Sequence, residues 1–260
     1  MAFDIQKWRT LAGKTRLGRV WRWGRSANGI AAILRAPEAS SNCAAVSKLF
    51  PDVSEELAGV CRLQLLKNNK FFGELNDRFV EKRQRRVSCS AWNELLYVLV
   101  RFAKPDIMVE TGVFDGVSSA IILQALADNQ KGTLISVDLP AHRPIGGSTD
   151  RMVETTLPDQ LPPGWVIPDY LQDRFQLHQG DSRQLLPDLL KRHPKIDIFF
   201  HDSLHTFEHQ HYEYTTSWPH IVSGGLLMSD DIFFNSAFHA FCVEQGKEYV
   251  HLDGFGVIRK

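Results

Sequence analysis

The sequence lacks the features that would place it outside the reduced interior of a cell. Its four cysteines, Cys43, Cys61, Cys89 and Cys242, are scattered without a C-x-x-C spacing, which predicts free thiols rather than a disulfide framework. No apolar run approaches the roughly 20 residues that a membrane-spanning helix needs. The N-terminus also has no unbroken apolar core typical of a secretory signal. We therefore predict a cytoplasmic protein.

A net charge is lacking as well, because 30 basic residues balance 30 acidic ones, so nothing in the overall charge favours a nucleic-acid partner. The charge is unevenly spread, however. Residues 1–36 contain eight Lys or Arg and one acid, Asp4, together with Trp8, Trp21 and Trp23. This basic arm, residues 1–36, predicts peripheral contact with an anionic membrane surface. The alternatives are a helical arm that packs on the domain, a partly disordered N-terminus, or an organelle transit peptide, which an Arg-rich, acid-poor start resembles.

The remaining pattern predicts two regions. Residues 1–89 would form the basic arm and two or three short helices, with the charged run at 82–86 as a solvated helix end. Residues 90–260 alternate apolar strands with helices and finish in two short strands joined by Asp253-Gly254. This pattern predicts an α/β fold: a doubly wound, mostly parallel Rossmann-like sheet with a C-terminal antiparallel hairpin, preceded by N-terminal helices. The long Pro- and Gly-rich segment 140–173 predicts a binding loop or lid.

A candidate ligand-binding turn follows the first strand of this sheet. The stretch 107–119 reads as a strand ending near Glu110, a turn with Gly112 and Gly116, and a helix start at Ser118. Glycines allow close approach of a ligand, and the free N–H groups of a helix start favour its anionic groups. The G-x-G-x-x-G motif of dinucleotide-binding proteins is absent.

Further acids follow the next strands. Asp138 can hold two ribose hydroxyls, and Asp181 can accept a hydrogen bond from an adenine amino group. Asp202, Asp230 and Asp231 end two later strands, so they are expected at the same sheet edge, where three carboxylates suit Mg²⁺ before Mn²⁺ or Ca²⁺. The alternative is that Asp230 or Asp231 caps a helix.

His205 is predicted on the first helical turn after Asp202, where it would act as a general base. The stretch 205–209 also fits the H-x-x-E-H pattern of zinc peptidases, which leaves a zinc site as an alternative. That pattern explains none of the acids at the other strand ends.

The combined order of these motifs resembles class I S-adenosylmethionine (SAM)-dependent methyltransferases, over roughly residues 90–260. The stretches 201–205 and 224–231 are similar to metal-dependent sugar O-methyltransferases, and the three aspartates resemble the metal site of catechol O-methyltransferases. The resemblance implies SAM as cofactor, bound by Glu110, Gly112, Gly116, Ser118, Asp138 and Asp181. It also implies a Mg²⁺ ion on Asp202, Asp230 and Asp231 and a proton acceptor at His205.

The implied reaction is direct methyl transfer to a hydroxyl of a small-molecule acceptor, whose identity the sequence does not give. Two alternatives belong to other classes: a NAD-type oxidoreductase, and a membrane-associated binding module with a degenerate site. Assembly into a homo-oligomer is left open.

Overall fold

The computed structural model describes Ile30, residues 33–139 and residues 156–260. Within described residues 40–106, four helices precede the sheet, and a side chain at each N-cap, Ser41, Ser54, Asn68 or Ser90, helps to fix where the helix begins. They are α1 (Asn42–Leu49), α2 (Glu55–Leu66), α3 (Asn69–Arg83) and α4 (Ala91–Ala103). Their apolar faces pack together with one side of the sheet in a shared core.

The sheet has seven strands in the order β3-β2-β1-β4-β5-β7-β6. The strands are β1 (Ile107–Thr111), β2 (Thr133–Asp138), β3 (Phe175–Gln179), β4 (Ile196–His201), β5 (Ile221–Ser229), β6 (Val250–Leu252) and β7 (Phe255–Arg259). Strands β1 to β5 pair in parallel, whereas β7 is antiparallel to β5 and β6. The predicted fold class, including the final hairpin, is confirmed. The strand order reverses between β1 and β4, the place where open α/β sheets bind ligands.

Helices cover both faces of the sheet. They are α5 (Val117–Asp128), α6 (Ser182–Arg192), α7 (Phe207–Ser217) and α8 (Ala237–Glu244). Because side chains alternate along a strand, β1 directs Met108 into the core under α4 and α5, and Val109 into the core under α6 and α8. The same alternation sends the next two residues, Glu110 and Thr111, to opposite faces.

Two local expectations were wrong, and one alternative for the basic arm, that it packs on the domain, gains support. The helix expected to begin near His205 begins at Phe207, because Thr206 is the N-cap and accepts a hydrogen bond from the His209 N–H. The charged run 82–86 is not uniformly solvated, since the Arg83 side chain is 6% exposed. Ile33 and Ala36, inside the predicted basic arm, are fully buried in the core under α6 and α8.

The rest of that arm, residues 1–29 and 31–32, and residues 140–155 of the predicted loop lie outside the described residues. Described residues 156–174 contain two short 3-10 turns, Pro158–Gln160 and Asp169–Arg174. The division of the chain at residue 89 stays a prediction. Within the described parts of the chain, no helix has the length and apolar character needed to cross a membrane.

Candidate active site

The turn after β1 is held by the end of β2. The backbone N–H groups of Val113 and Phe114 both donate to Asp138 Oδ2 at 2.6 Å. The turn has positive φ angles at Gly112 (85°), Phe114 (51°) and Gly116 (97°). Burial raises the pKa of Asp138, and the two backbone hydrogen bonds oppose that shift. Asp138 thus already shapes the turn through one of its two carboxylate oxygens.

The two glycines of this turn are required by neighbouring protein segments. A Cβ atom on Gly112 would lie 2.0 Å from the carbonyl oxygen of Asp202, and one on Gly116 would lie 2.5 Å from Gly164 Cα. The contacts give these glycines a role within the fold, and their predicted role toward a ligand stays a prediction. Their absent side chains let β4 and the 156–174 segment close on the turn.

Glu110 lies behind the turn and is completely buried. Its Oε2 accepts hydrogen bonds from Ser119 Oγ at 2.6 Å and Ser136 Oγ at 2.7 Å, while Ser118 Oγ is 3.5 Å from Oε1. Burial raises the pKa of Glu110 to about 7, although the serine hydroxyls act in the opposite direction. Glu110 therefore joins β1, β2 and the start of α5 beneath the turn.

A buried ion pair on the other side of the turn was not anticipated. Arg83 donates from Nε to Asp115 Oδ2 at 3.0 Å and from Nη2 to Oδ1 at 2.7 Å, and both side chains are 6% exposed. Trp165 Nε1 also donates to Asp115 Oδ1 at 2.8 Å, and Arg83 reaches the carbonyl of Thr156. Helix α3 and the 156–174 segment are thereby fastened to the turn. An aspartate between the two turn glycines was the one signal available for this role.

The carboxylates predicted at the sheet edge do converge. Burial raises the pKa of Asp202 well above its ordinary value, and Asp230, Asp231, Glu110 and Asp138 raise it further. Burial, and to a smaller extent the charge of Asp231, raises the pKa of Asp230 to about 8. Acids from four strand ends are thus close enough to repel one another. In the parts of the chain that are described, however, no three His, Cys, Asp or Glu side chains are arranged to hold a metal ion.

His205 lies in the segment between β4 and α7. Its ring is edge-on to His201, with centroids 5.2 Å apart, and 5.5 Å from the ring of Phe234. Its Nε2 is buried and has no hydrogen-bond partner among the described residues. Burial, followed by the neighbouring His201, lowers the pKa of His205 to about 3, so the ring is neutral near pH 7.

Asp181 is at the edge of this region. It is the N-cap of α6, where Oδ1 accepts a hydrogen bond from the Arg183 N–H at 2.8 Å. Its neighbour Gly180 donates a backbone hydrogen bond to the carbonyl of Asp138, which places the two acids on adjoining strand ends.

An open cavity of about 470 Å³ lies between the turn and the N-terminal helices. Three predicted site residues line it, Gly116, Ser118 and Asp202, whereas Glu110 lies behind it. The opposite wall comes from the end of α3, the start of α4 and the chain between them, and comprises Phe79, Arg85, Val87, Ser88, Ser90, Trp92 and Asn93. Half of the fourteen lining residues thus lie before β1, and four of them precede position 90, which sequence patterns did not reveal.

Comparison with known proteins agrees with this architecture. Residues 109–232 match a family model described as a methyltransferase domain. Among curated proteins, none matches the chain. Solved structures with the same fold include three O-methyltransferases. The enzyme TomG from Streptomyces achromogenes, in complex with SAM, is 15% identical, covers 74% of this chain and 90% of its own, and has a TM-score of 0.55.

The second of these structures, a putative O-methyltransferase from Klebsiella pneumoniae, is 15% identical over 78% of this chain and 96% of its own, with a TM-score of 0.53. The third, an O-methyltransferase from Bacillus cereus in complex with SAH, is 10% identical over 79% and 97%, with a TM-score of 0.52. At such low identity, the likeness to these structures shows the fold alone. The match of residues 109–232 to the methyltransferase-domain model agrees with the predicted resemblance to SAM-dependent methyltransferases.

Proposed function

We propose that this protein transfers the methyl group of SAM to a hydroxyl oxygen of a small molecule. The observation that carries the proposal is the convergence of Glu110, Asp138, Asp202 and Asp230 on one sheet edge beside an open cavity. Three of the solved structures with this fold are named as O-methyltransferases, which favours oxygen as the methyl acceptor. A NAD-type oxidoreductase has no comparable support.

We further propose that the cofactor lies across the ends of β1 and β2. Ser118, which lines the cavity at the start of α5, would bind its carboxylate, and Asp138 would hold the ribose through the oxygen that the turn leaves free. Asp181 would contact the adenine. Gly112 and Gly116 keep the turn in its observed shape, and Glu110, being buried, would act on the cofactor through that turn.

A divalent cation, Mg²⁺ by preference, is proposed for Asp202, Asp230 and Asp231. The donor chemistry fits, because hard cations prefer carboxylate oxygens and the mutual repulsion of these acids would be relieved by positive charge. The side chains are not gathered into a ready ligand set. When bound, such an ion makes an acceptor hydroxyl more acidic.

His205 is proposed as the proton acceptor. It is neutral near pH 7 and therefore able to take a proton, but a pKa of about 3 makes it a weak base. Proton transfer to His205 consequently requires an acceptor hydroxyl that is already acidic. A hydroxyl made acidic by a bound cation would meet this requirement.

The proposal is tested by following the methyl group. The full chain is incubated with methyl-labelled SAM, Mg²⁺ and a panel of glycosides, catechols and carboxylic acids, and labelled products are identified by mass spectrometry. Transfer to hydroxyl oxygen supports the proposal. Transfer to nitrogen, carbon or carboxylate, with none to hydroxyl groups, would contradict it.

A further inference from the structure

A polar cluster with a fully buried centre lies beneath the proposed site, on the sheet face opposite Glu110. Its centre is Glu213 of α7, which has no exposed surface. Five side chains hydrogen-bond to its two carboxylate oxygens. They are Thr111 at 2.5 Å and His201 at 2.6 Å on Oε2, and Ser182 at 2.5 Å, His209 at 2.8 Å and Ser203 at 3.1 Å on Oε1. No residue assigned above to binding or chemistry belongs to this cluster.

The partners of Glu213 nevertheless adjoin the proposed site residues in sequence. Thr111 precedes Gly112, and Ser182 follows Asp181. His201 and Ser203 flank Asp202. One carboxylate is therefore bound to the chain next to three separate parts of the site.

The strand register makes these links direct. Thr111 and His201 are paired across β1 and β4, the two strands between which the strand order reverses. Both side chains point to the α7 face, where Glu213 Oε2 accepts a hydrogen bond from each. The same cluster continues toward His205, whose ring is in edge-on contact with His201. A displacement of Glu213 would thus be transmitted to both sides of the cofactor cleft.

The charge state of Glu213 supports this arrangement. Burial alone would raise its pKa, but His201 and His209 outweigh burial and hold the pKa of Glu213 well below its ordinary value. The group is therefore a carboxylate near neutral pH and accepts hydrogen bonds from all its neighbours. Charge-assisted hydrogen bonds of this kind are shorter and stronger than neutral ones.

We propose that Glu213 is a positioning residue, whose carboxylate sets the placement of the turn after β1, of Asp181 and of the 202–205 segment relative to one another. The inference rests on the proposed function of that site. It assigns to α7 a role in cofactor affinity and turnover, although Glu213 lies beneath the cleft, buried among these hydrogen-bond partners.

The decisive comparison uses Thr111, because it can be changed without disturbing volume. Thr111→Val keeps the shape but removes the hydroxyl that donates to Glu213, whereas Thr111→Ser retains the hydroxyl. We expect Thr111→Val to weaken SAH binding, measured by calorimetry, by about threefold to tenfold, the contribution of one hydrogen bond. Thr111→Ser should restore affinity to within about twofold of the parent chain.

Glu213→Gln removes the charge and is expected to lower kcat/KM by about 10- to 100-fold, as for other groups that orient site residues. The matched control is Glu244→Gln, which alters the exposed His–Glu pair that α7 makes through His211. That control should bind SAH as the parent does. If Glu213→Gln fails to fold, the Thr111 pair decides alone.

Two outcomes would overturn the inference. If Thr111→Val and Glu213→Gln lower the melting temperature but keep the SAH affinity and KM of the parent chain, the cluster only stabilises the fold. If the parent chain itself binds no SAH, the proposed function fails and the inference fails with it. These results are distinguishable because the first requires a parent chain that binds.

Discussion

Arg83 and Asp115 form a two-pronged ion pair in which both side chains are 6% exposed, and this pair joins helix α3 to the turn after β1. The pair connects residues 32 positions apart, across the boundary predicted at residue 89. It makes the N-terminal helices part of the site, because the end of α3 and the chain after it supply the wall that faces Ser118 and Asp202.

Arg83→Met should therefore be costly. It leaves Asp115 buried beside Trp165 without its cation, and such a loss typically costs about 3–5 kcal/mol. The free energy of unfolding, measured by chemical denaturation, should fall by that amount. The control is Glu74→Gln, which removes an exposed partner of Lys70 and should change stability by less than about 1 kcal/mol. Equal effects of the two variants would show that the buried pair contributes no more than a surface one.

The raised pKa of Glu110 predicts that the stability of the protein depends on pH. Its pKa is about 7 in the folded protein against an ordinary value of 4.5, so the folded state binds this proton more tightly than the unfolded state. Stability should fall as pH rises from about 4.5 to 7, and the full penalty, roughly 3 kcal/mol, applies above pH 7. Glu110→Gln, which carries no charge, should gain stability relative to the parent chain over that range. A difference between the two proteins that is constant from pH 5 to 8 would contradict the assignment.

The two roles of Asp138, in the turn and toward the ribose, should have separable effects on cofactor binding. Asp138→Ala removes the acceptor for the Val113 and Phe114 N–H groups and the proposed acceptor for the ribose. SAH affinity should weaken by about 1–3 kcal/mol in calorimetry. An SAH analogue without the 2′ and 3′ hydroxyls isolates the ribose part, because the substitution should cost the analogue less than it costs SAH. Equal costs would show that Asp138 acts through the turn alone.

Much of the fold was predictable because its signals are local. Apolar strands alternating with helices predicted the parallel sheet, and Asp253-Gly254 predicted the final hairpin. The acids at strand ends were predictable for the same reason, since parallel strands bring their carboxyl ends to one edge. The start of α7 was misjudged because His205 precedes a better N-cap, Thr206.

The remaining features depend on contacts between distant residues. Arg83 stands in a charged run that is typical of a solvated surface, and nothing nearby in the sequence indicates its pairing with Asp115. Glu213 lies 102 positions from Thr111, and its helix has no marked apolar stripe that would show which face is buried. The packing of α3 and α7 decides both environments, and it emerges only from the folded chain.

The basic arm, residues 1–36, leads to a prediction that the structure refines. Ile33 and Ala36 are core residues, so removing all of the arm would disturb the domain. A chain in which Lys7, Arg9, Lys14, Arg16 and Arg19 are replaced by Gln retains these residues. If the arm binds anionic surfaces, the parent chain should float with phosphatidylserine vesicles and this variant should not, since each basic residue contributes about 1 kcal/mol. Equal flotation of both chains would remove the membrane proposal.

The metal proposal predicts a dependence on both chelator and pH. Because the pKa of Asp230 is raised to about 8, this group holds a proton at pH 7 in the metal-free protein, and a bound cation has to displace it. The affinity for Mg²⁺ should consequently rise between pH 7 and 9, and Asp230→Asn should flatten that rise. Isothermal titration with Mg²⁺ in the presence of SAH measures both quantities without an acceptor.

Turnover provides the second half of this test. Methyl transfer should collapse in excess chelator and return with Mg²⁺, while SAH binding persists, because the proposed cation acts on the acceptor rather than on the cofactor. His205→Ala should lower kcat by about 10²–10⁴-fold, the usual contribution of a positioned proton acceptor, and leave SAH affinity nearly unchanged. Full turnover in chelator would refute the cation, and the repulsion among these acids would then be relieved by the protons that the raised pKa values of Asp202 and Asp230 favour.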